Sequence, residues 1–232
     1  MRHGGRACLI LPLRRTLPGL TGVDLFQLFA SLAALLFSLT VHEAAHAWSA
    51  SRLGDDTARR RGRVSLNPLV HIDPIGTLLL PLVAVATGAP LIGWAKPVPV
   101  DTRRLRQPVR DFMIVAAAGP ASNLALAAIA ALVWRLAPAG SAADGLAVAG
   151  PVHMAAALAL QVNLLLALFN MIPVPPLDGG NVLGGLLGGA WRRRYETLRP
   201  YGIFILYGLM LTGALGAIIG PPYVFLARLL TL

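Results

Sequence analysis

The sequence predicts an all-α polytopic membrane protein, a helical bundle with a re-entrant or strand-like segment. Three observations lead there. Hydrophobic residues make up 56% of the 232 and charged residues only 13%, too little charge to cover a soluble surface of this size. Several apolar runs approach the roughly 20 residues that a helix needs to cross the hydrocarbon core, and mean hydropathy is +0.68. Five basic residues lie between Arg52 and Arg63, five between Lys96 and Arg110, and four between Arg192 and Arg199. Clusters of this kind beside apolar segments mark loops held on the cytoplasmic side. Membrane lipid headgroups account for the net charge of +10, and no fold signature accompanies it that would point to nucleic acid.

Residues 1–22 read as an N-terminal tail. Their apolar stretch Leu9 to Leu13 is broken by Pro12 and followed at once by Arg14 and Arg15, which suits a signal peptide poorly. A membrane domain is expected over 23–220 and a short C-terminal tail over 221–232. Asp24 to Leu53 is free of Pro and Gly and predicts a helix about 45 Å long, whose end projects past the bilayer. Ile75 to Trp94 is apolar but carries Gly76, Pro81, Gly88 and Pro90, so a path that enters the membrane and returns to the same side is expected. Lys96-Pro97-Val98-Pro99-Val100 is extended and edge-like, because its prolines exclude a helix interior. Asp111 to Leu136 and Val152 to Asn170 read as spanning helices, joined by the connector Ala137 to Gly150, which has one acid and no base and belongs outside. Ile203 to Ile219 reads as the last spanning helix.

The chemistry is concentrated at His42-Glu43-Ala44-Ala45-His46, an H-E-x-x-H pattern. Four-residue spacing stacks both imidazoles on one helix face, where they can share one metal ion. Glu43 sits beside that face, within reach of a metal-activated water. Such a site uses zinc to acidify the water and a carboxylate to take its proton and return it to the leaving amine. Three ionisable groups at the end of an otherwise apolar run are expensive at membrane depth and default to a functional reading. Cys8 is the lone cysteine, so any metal here is held by nitrogen and oxygen.

A catalytic zinc commonly has three protein ligands and an open position. Asp178 is the outstanding candidate for the third. Pro173, Pro175 and Pro176 stop the preceding helix, and Gly179-Gly180 is expected to let the chain turn sharply. A helix-capping aspartate in an interfacial loop is the competing reading.

His42-Glu43-Ala44-Ala45-His46, taken with Asn170-Met171-Ile172-Pro173-Val174-Pro175-Pro176-Leu177-Asp178-Gly179, resembles the site-2 proteases, which are intramembrane zinc metalloproteases. The resemblance runs from about Asp24 to Ile219 and takes in Asn67-Pro68-Leu69, His71-Ile72-Asp73-Pro74, Gly93 to Val100 and Gly119-Pro120-Ala121-Ser122-Asn123. It implies His42, His46 and Asp178 as ligands of one Zn2+ per chain and Glu43 as catalytic base. It also implies a transmembrane protein substrate and a multi-pass place in a bacterial inner (plasma) membrane. It looks like the compact branch, because no PDZ or CBS module fits in the loops.

Other polar residues have two readings. Asn163 and Asn170 are seven apart and share a helix face expected to point into the bundle. Asn170 could donate to a developing oxyanion or bond between helices, and Asn123 has the same alternatives with polar support favoured. Val98, Pro99 and Val100 could pair with an extended substrate. His71 is expected as an interfacial or supporting residue. Two rival functions remain open: a metal-ion transporter using the two histidines and the aspartate, and a catalytically silent chaperone of membrane proteins. Neither gives Glu43 a duty.

Overall fold

The computed structural model describes residues 25–79, 96–137 and 150–232, and among these it is helical with no strand. Helix α1 (Leu25–Arg52) has an apolar first half and the H-E-x-x-H residues in its second. Helix α2 is a single turn (Thr57–Arg60), followed by a 3-10 turn at Pro68–Val70 and a π turn at Pro74–Leu79. After residues 96–100, which form neither helix nor strand, and a 3-10 turn (Thr102–Arg104) come α3 (Pro108–Leu136) and α4 (Pro151–Asn170). Both start on proline, whose missing N–H costs nothing at a first helical position. The Asp111 carboxylate reinforces the start of α3 by accepting from the Gln107 amide at 2.8 Å. Four further helices complete the chain: α5 (Asp178–Leu186), α6 (Gly189–Glu196), α7 (Gly202–Leu211) and α8 (Ala214–Thr231).

Helix α3 is central, packing against α4, α1, α5 and, less extensively, α8. Alanines make this possible. Ala127, Ala130 and Ala131 of α3 are buried against Leu160 and Leu164 of α4, and Tyr223, Leu226, Ala227 and Leu230 of α8 close the cluster. Small residues let helix backbones approach where lipid supplies no hydrophobic drive between helices. Among the described residues, α3, α4 and α8 are each long and apolar enough to cross a membrane.

The C-terminal expectations are corrected. Instead of one helix over Ile203 to Ile219, α7 ends at Leu211, and Gly213 turns the chain with a left-handed φ of 75° before α8. The supposed tail 221–232 forms the second half of α8, which carries Pro221 and Pro222 inside it. Packing of Tyr223, Leu226, Ala227 and Leu230 on the core outweighs the loss of two helical N–H donors.

Residues 80–95, most of the segment expected to re-enter the membrane, lie outside the described residues. The flanks of that segment do meet. The Lys96 amide donates to the His71 carbonyl at 2.8 Å.

Candidate active site

Helix α1 presents the imidazoles of His42 and His46 one turn apart, both buried, with their Nε2 atoms 3.1 Å from each other. Asp178, the first residue of α5, brings Oδ2 to 3.1 Å from His42 Nε2 and 3.3 Å from His46 Nε2. The N-cap of α5 is Leu177, and the Asp178 carboxylate bonds to the imidazole of His42 instead, which argues against the capping reading. The far side of each ring is fixed. His46 Nδ1 lies 2.7 Å from the Val115 carbonyl of α3, which can only accept, so Nδ1 carries the proton. His42 Nδ1 donates to Asn123 Oδ1 at 2.6 Å. The Asn123 amide is itself oriented, because Nδ2 donates to Asn163 Oδ1 at 2.9 Å and to the Ser38 carbonyl at 3.3 Å. Asn163 in turn donates to the Ala159 carbonyl at 2.8 Å. With both Nδ1 atoms protonated, two Nε2 lone pairs and a carboxylate oxygen face one another. Three electron-rich atoms this close call for a cation between them.

Two glycine positions make the cradle. A Cβ on Gly119 of α3 would sit 2.6 Å from His42 Nε2 and would also run into His46, so only glycine leaves this face of the site open. Gly179 and Gly180 are buried in the first turn of α5. A Cβ on Gly179 would collide with the Met171 and Ile172 carbonyls, and one on Gly180 would lie 2.6 Å from Pro175 N. Their contribution is close packing. Neither has a positive φ, which corrects the sharp turn expected of them. Behind this loop, the Tyr195 hydroxyl donates to the Pro173 carbonyl at 3.0 Å, and Gly202 lets α7 touch the Pro175 carbonyl.

Glu43 is half-buried, and its Oε2 accepts from the Val98 amide at 3.0 Å. The segment around Val98 therefore passes beside the carboxylate. Asn170 does not join the site's network. Its side chain donates to the Leu166 carbonyl of its own helix at 2.9 Å, whereas Asn163 points into the bundle as expected. His71 is buried, with Nε2 2.9 Å from the Ser65 carbonyl.

Comparison with known proteins gives this arrangement a context. A family model described as peptidase family M50 matches residues 137–213. The Bacillus subtilis protein named "Putative zinc metalloprotease YwhC" is 38% identical over 178 residues, which cover 77% of this chain and 78% of that one. The chain belongs to peptidase family M50, the site-2 proteases. "Putative zinc metalloprotease Rip2" of Mycolicibacterium smegmatis is 34% identical over 188 residues, 79% of this chain and 67% of that one. No solved structure matches.

The cofactor of this zinc metalloprotease family is Zn2+, and the donor set here fits it. Ligand atoms about 2.0–2.1 Å from a tetrahedral zinc are separated from each other by about 3.3–3.4 Å. The three separations here are 3.1, 3.1 and 3.3 Å. Two neutral imidazoles with oriented Nδ1 protons and one carboxylate form a three-ligand set that leaves a fourth position open.

The sequence left two contributors unseen. Val115 acts through its backbone, which leaves no trace in residue type. Gly119 was legible as a small residue for helix approach, but its position over the imidazoles depends on the depth at which α3 crosses α1.

Proposed function

We propose that this chain is an active zinc endopeptidase that hydrolyses peptide bonds in or near the transmembrane segments of other membrane proteins. It would act from a multi-pass position in a bacterial plasma membrane, with the site toward the cytoplasmic face. His42, His46 and Asp178 hold one zinc, and Glu43 is the general base. The observation that carries this reading is the arrival of Asp178 from a separate helix at 3.1 and 3.3 Å from two Nε2 atoms whose tautomers are already set.

When bound, zinc supplies Lewis acidity, which polarises the scissile carbonyl and acidifies the attacking water. The chain's residues supply the rest. Asn123 and the Val115 carbonyl keep the histidines as neutral nitrogen donors. Glu43 takes the proton released as the water attacks the carbonyl carbon, then delivers it to the leaving amine nitrogen. Partners on this reading are a transmembrane protein substrate and the surrounding lipid. A helical substrate hides its carbonyls in its own hydrogen bonds, so the cut segment must be unwound locally.

The test uses purified full-length protein, with zinc measured by elemental analysis and cleavage of a membrane-spanning peptide followed by mass spectrometry. Parent protein carries about one zinc per chain, as a three-ligand site with an open position would. Asp178→Ala loses most of it. Glu43→Gln keeps its zinc while cleavage falls by ~10² or more, the usual contribution of a general base. Near-normal proteolysis by Glu43→Gln defeats the mechanism, and metal transport that persists in that variant favours the transporter.

A further inference from the structure

Asp55 is a fully buried carboxylate for which the site described above has no use. Among the described residues it makes no ion pair, and backbone and hydroxyl donors satisfy it instead. Its Oδ1 accepts from the Thr57 amide at 2.9 Å and from the Thr57 hydroxyl. Its Oδ2 accepts from the Asp101 amide at 2.7 Å. A charge buried without a counter-ion is costly, and three donors aimed at it offset that cost. What they hold together is the junction of two segments.

Both segments lead to Glu43. The first is α1, which carries Glu43 and runs on into Asp55. The chain turns there at Gly54, whose φ is 115°, and the Asp55 amide donates back to the Ala50 carbonyl at 2.9 Å. Asp55 is therefore fixed to the end of α1. The second segment runs from Val98 to Asp101. The Val98 amide donates to Glu43 Oε2 at 3.0 Å, and among the described residues no other donor reaches Glu43. The base is thus bonded by a segment that is itself pinned to the base's own helix. Two further ties flank this circuit, from the Lys96 amide to the His71 carbonyl and from the Arg106 amide to the Leu53 carbonyl. The first leads away from α1, and the second joins the chain farther from Val98 than Asp101 does.

We propose that Asp55 is a positioning residue for Glu43: by holding the Asp101 amide it keeps the Val98 N–H on Oε2, which fixes the carboxylate and leaves Oε1 to take the proton from water. The inference rests on the proposed function and deepens it. A glutamate left to itself samples many rotamers, and ordering it anew for each reaction would raise the barrier. A bond to one oxygen meets that cost when the protein folds. The second oxygen keeps its lone pairs for the proton. Asp55 touches neither metal nor substrate on this reading and acts through two backbone amides.

The experiment removes the bond between Asp55 and Asp101 from each side. Asp55→Ala deletes the acceptor. An amide-to-ester replacement at Asp101, introduced by nonsense suppression in cell-free synthesis, deletes the donor alone and keeps every side chain. Ser51→Ala is the control. It removes a neighbouring hydrogen bond, from Ser51 Oγ to Asp56 Oδ1 at 2.6 Å, and leaves the circuit through Asp55 closed. The probe is a lysine-flanked leucine/alanine transmembrane peptide with a central Asn-Gly pair, presented to full-length, zinc-loaded protein in vesicles. Asp55→Ala and the Asp101 ester are each expected to keep zinc and KM and to lose about tenfold in kcat, the worth of one backbone hydrogen bond. Ser51→Ala should match the parent. Parent-like kcat in the ester variant, or an equal loss in Ser51→Ala, overturns the positioning role. So does a rise in KM at unchanged kcat, because the segment would then hold substrate rather than the base. Loss of zinc in the ester variant overturns it too, because the bond would then support the whole site. If Asp55→Ala does not fold, the ester variant decides.

A second arm needs no cleavage. It follows hydrogen exchange at the Val98 amide in protein carrying isotope-labelled valine, with Val98→Ala identifying the signal. Glu43→Ala removes the acceptor and should speed exchange about tenfold, as expected for one lost hydrogen bond. The Asp101 ester should do the same with Glu43 in place. Parent-like exchange in the ester variant, where Glu43→Ala is fast, overturns the link from Asp55 to Glu43. Exchange that stays slow in Glu43→Ala also overturns it, because Glu43 then does not hold the amide. A zinc-loaded parent that cuts nothing, while the exchange arm behaves as expected, sinks the proposed proteolysis and leaves the positioning of Glu43 standing.

Discussion

Replacing Asn123 with leucine removes the group that fixes the tautomer of His42 while roughly preserving volume. The side chain is fully buried and joins three elements: it accepts from His42 Nδ1 at 2.6 Å and donates to Asn163 Oδ1 and the Ser38 carbonyl. Leucine leaves His42 Nδ1–H and Asn163 Oδ1 without those partners, at about 1–3 kcal/mol for each buried polar group. Part of that cost falls on folding and part on the metal. The metal part is larger, because an imidazole freed at Nδ1 can rotate or place its proton on Nε2, where it blocks coordination. Loss of such an outer partner typically weakens a metal site 10–100-fold, or about 1.4–2.8 kcal/mol. Competition of the detergent-solubilised protein with a fluorescent zinc chelator measures the shift directly. Asn123→Asp keeps an acceptor for His42 and should recover part of the affinity while still losing the bond to Asn163. Parent-like zinc affinity in Asn123→Leu would refute the claim that this side chain sets the His42 tautomer.

Two further outcomes follow from the geometry. Gly119→Ala inserts a methyl 2.6 Å from His42 Nε2, so elemental analysis should find zinc reduced to a small fraction of the parent, in a variant that still inserts and purifies. Full zinc occupancy would show that α3 can retreat from the imidazoles. Topology is tested in a Cys8→Ser background with single cysteines at Arg61 and Thr102. Both should resist an impermeant thiol reagent in intact cells and label after lysis. Labelling of Thr102 alone from outside contradicts the same-side return expected of Ile75 to Trp94.

Local signals in the sequence carried much of the site. His42, Glu43 and His46 are related by helical periodicity alone, and Asp178 is marked by the prolines and glycines that interrupt its surroundings. What stayed hidden depends on how distant elements meet. Asn123 lies 81 residues from His42, so the sequence left it between an oxyanion donor and a bond between helices, and its contact with the His42 imidazole follows only from the crossing of α1 and α3. The break at Gly213 was equally hidden. Gly208 and Gly216 sit in the same apolar run, and nothing local tells which glycine takes a positive φ. Pro221 and Pro222 weaken the helix locally, yet α8 runs through them, because Tyr223 and Leu226 pack on the core formed by α3 and α4.

The prolines over Glu43 have a consequence for how copies of this protein coexist. A strand edge with alternating donors and acceptors is a template on which any other extended chain can nucleate. On the proposed function, such chains include the substrates unwound beside the site and the fragments cut from them. With no N–H at Pro97 or Pro99, this segment cannot complete a ladder with a neighbouring copy or a released fragment. A segment interrupted in this way is a poor seed for aggregation even where it lies beside the candidate site.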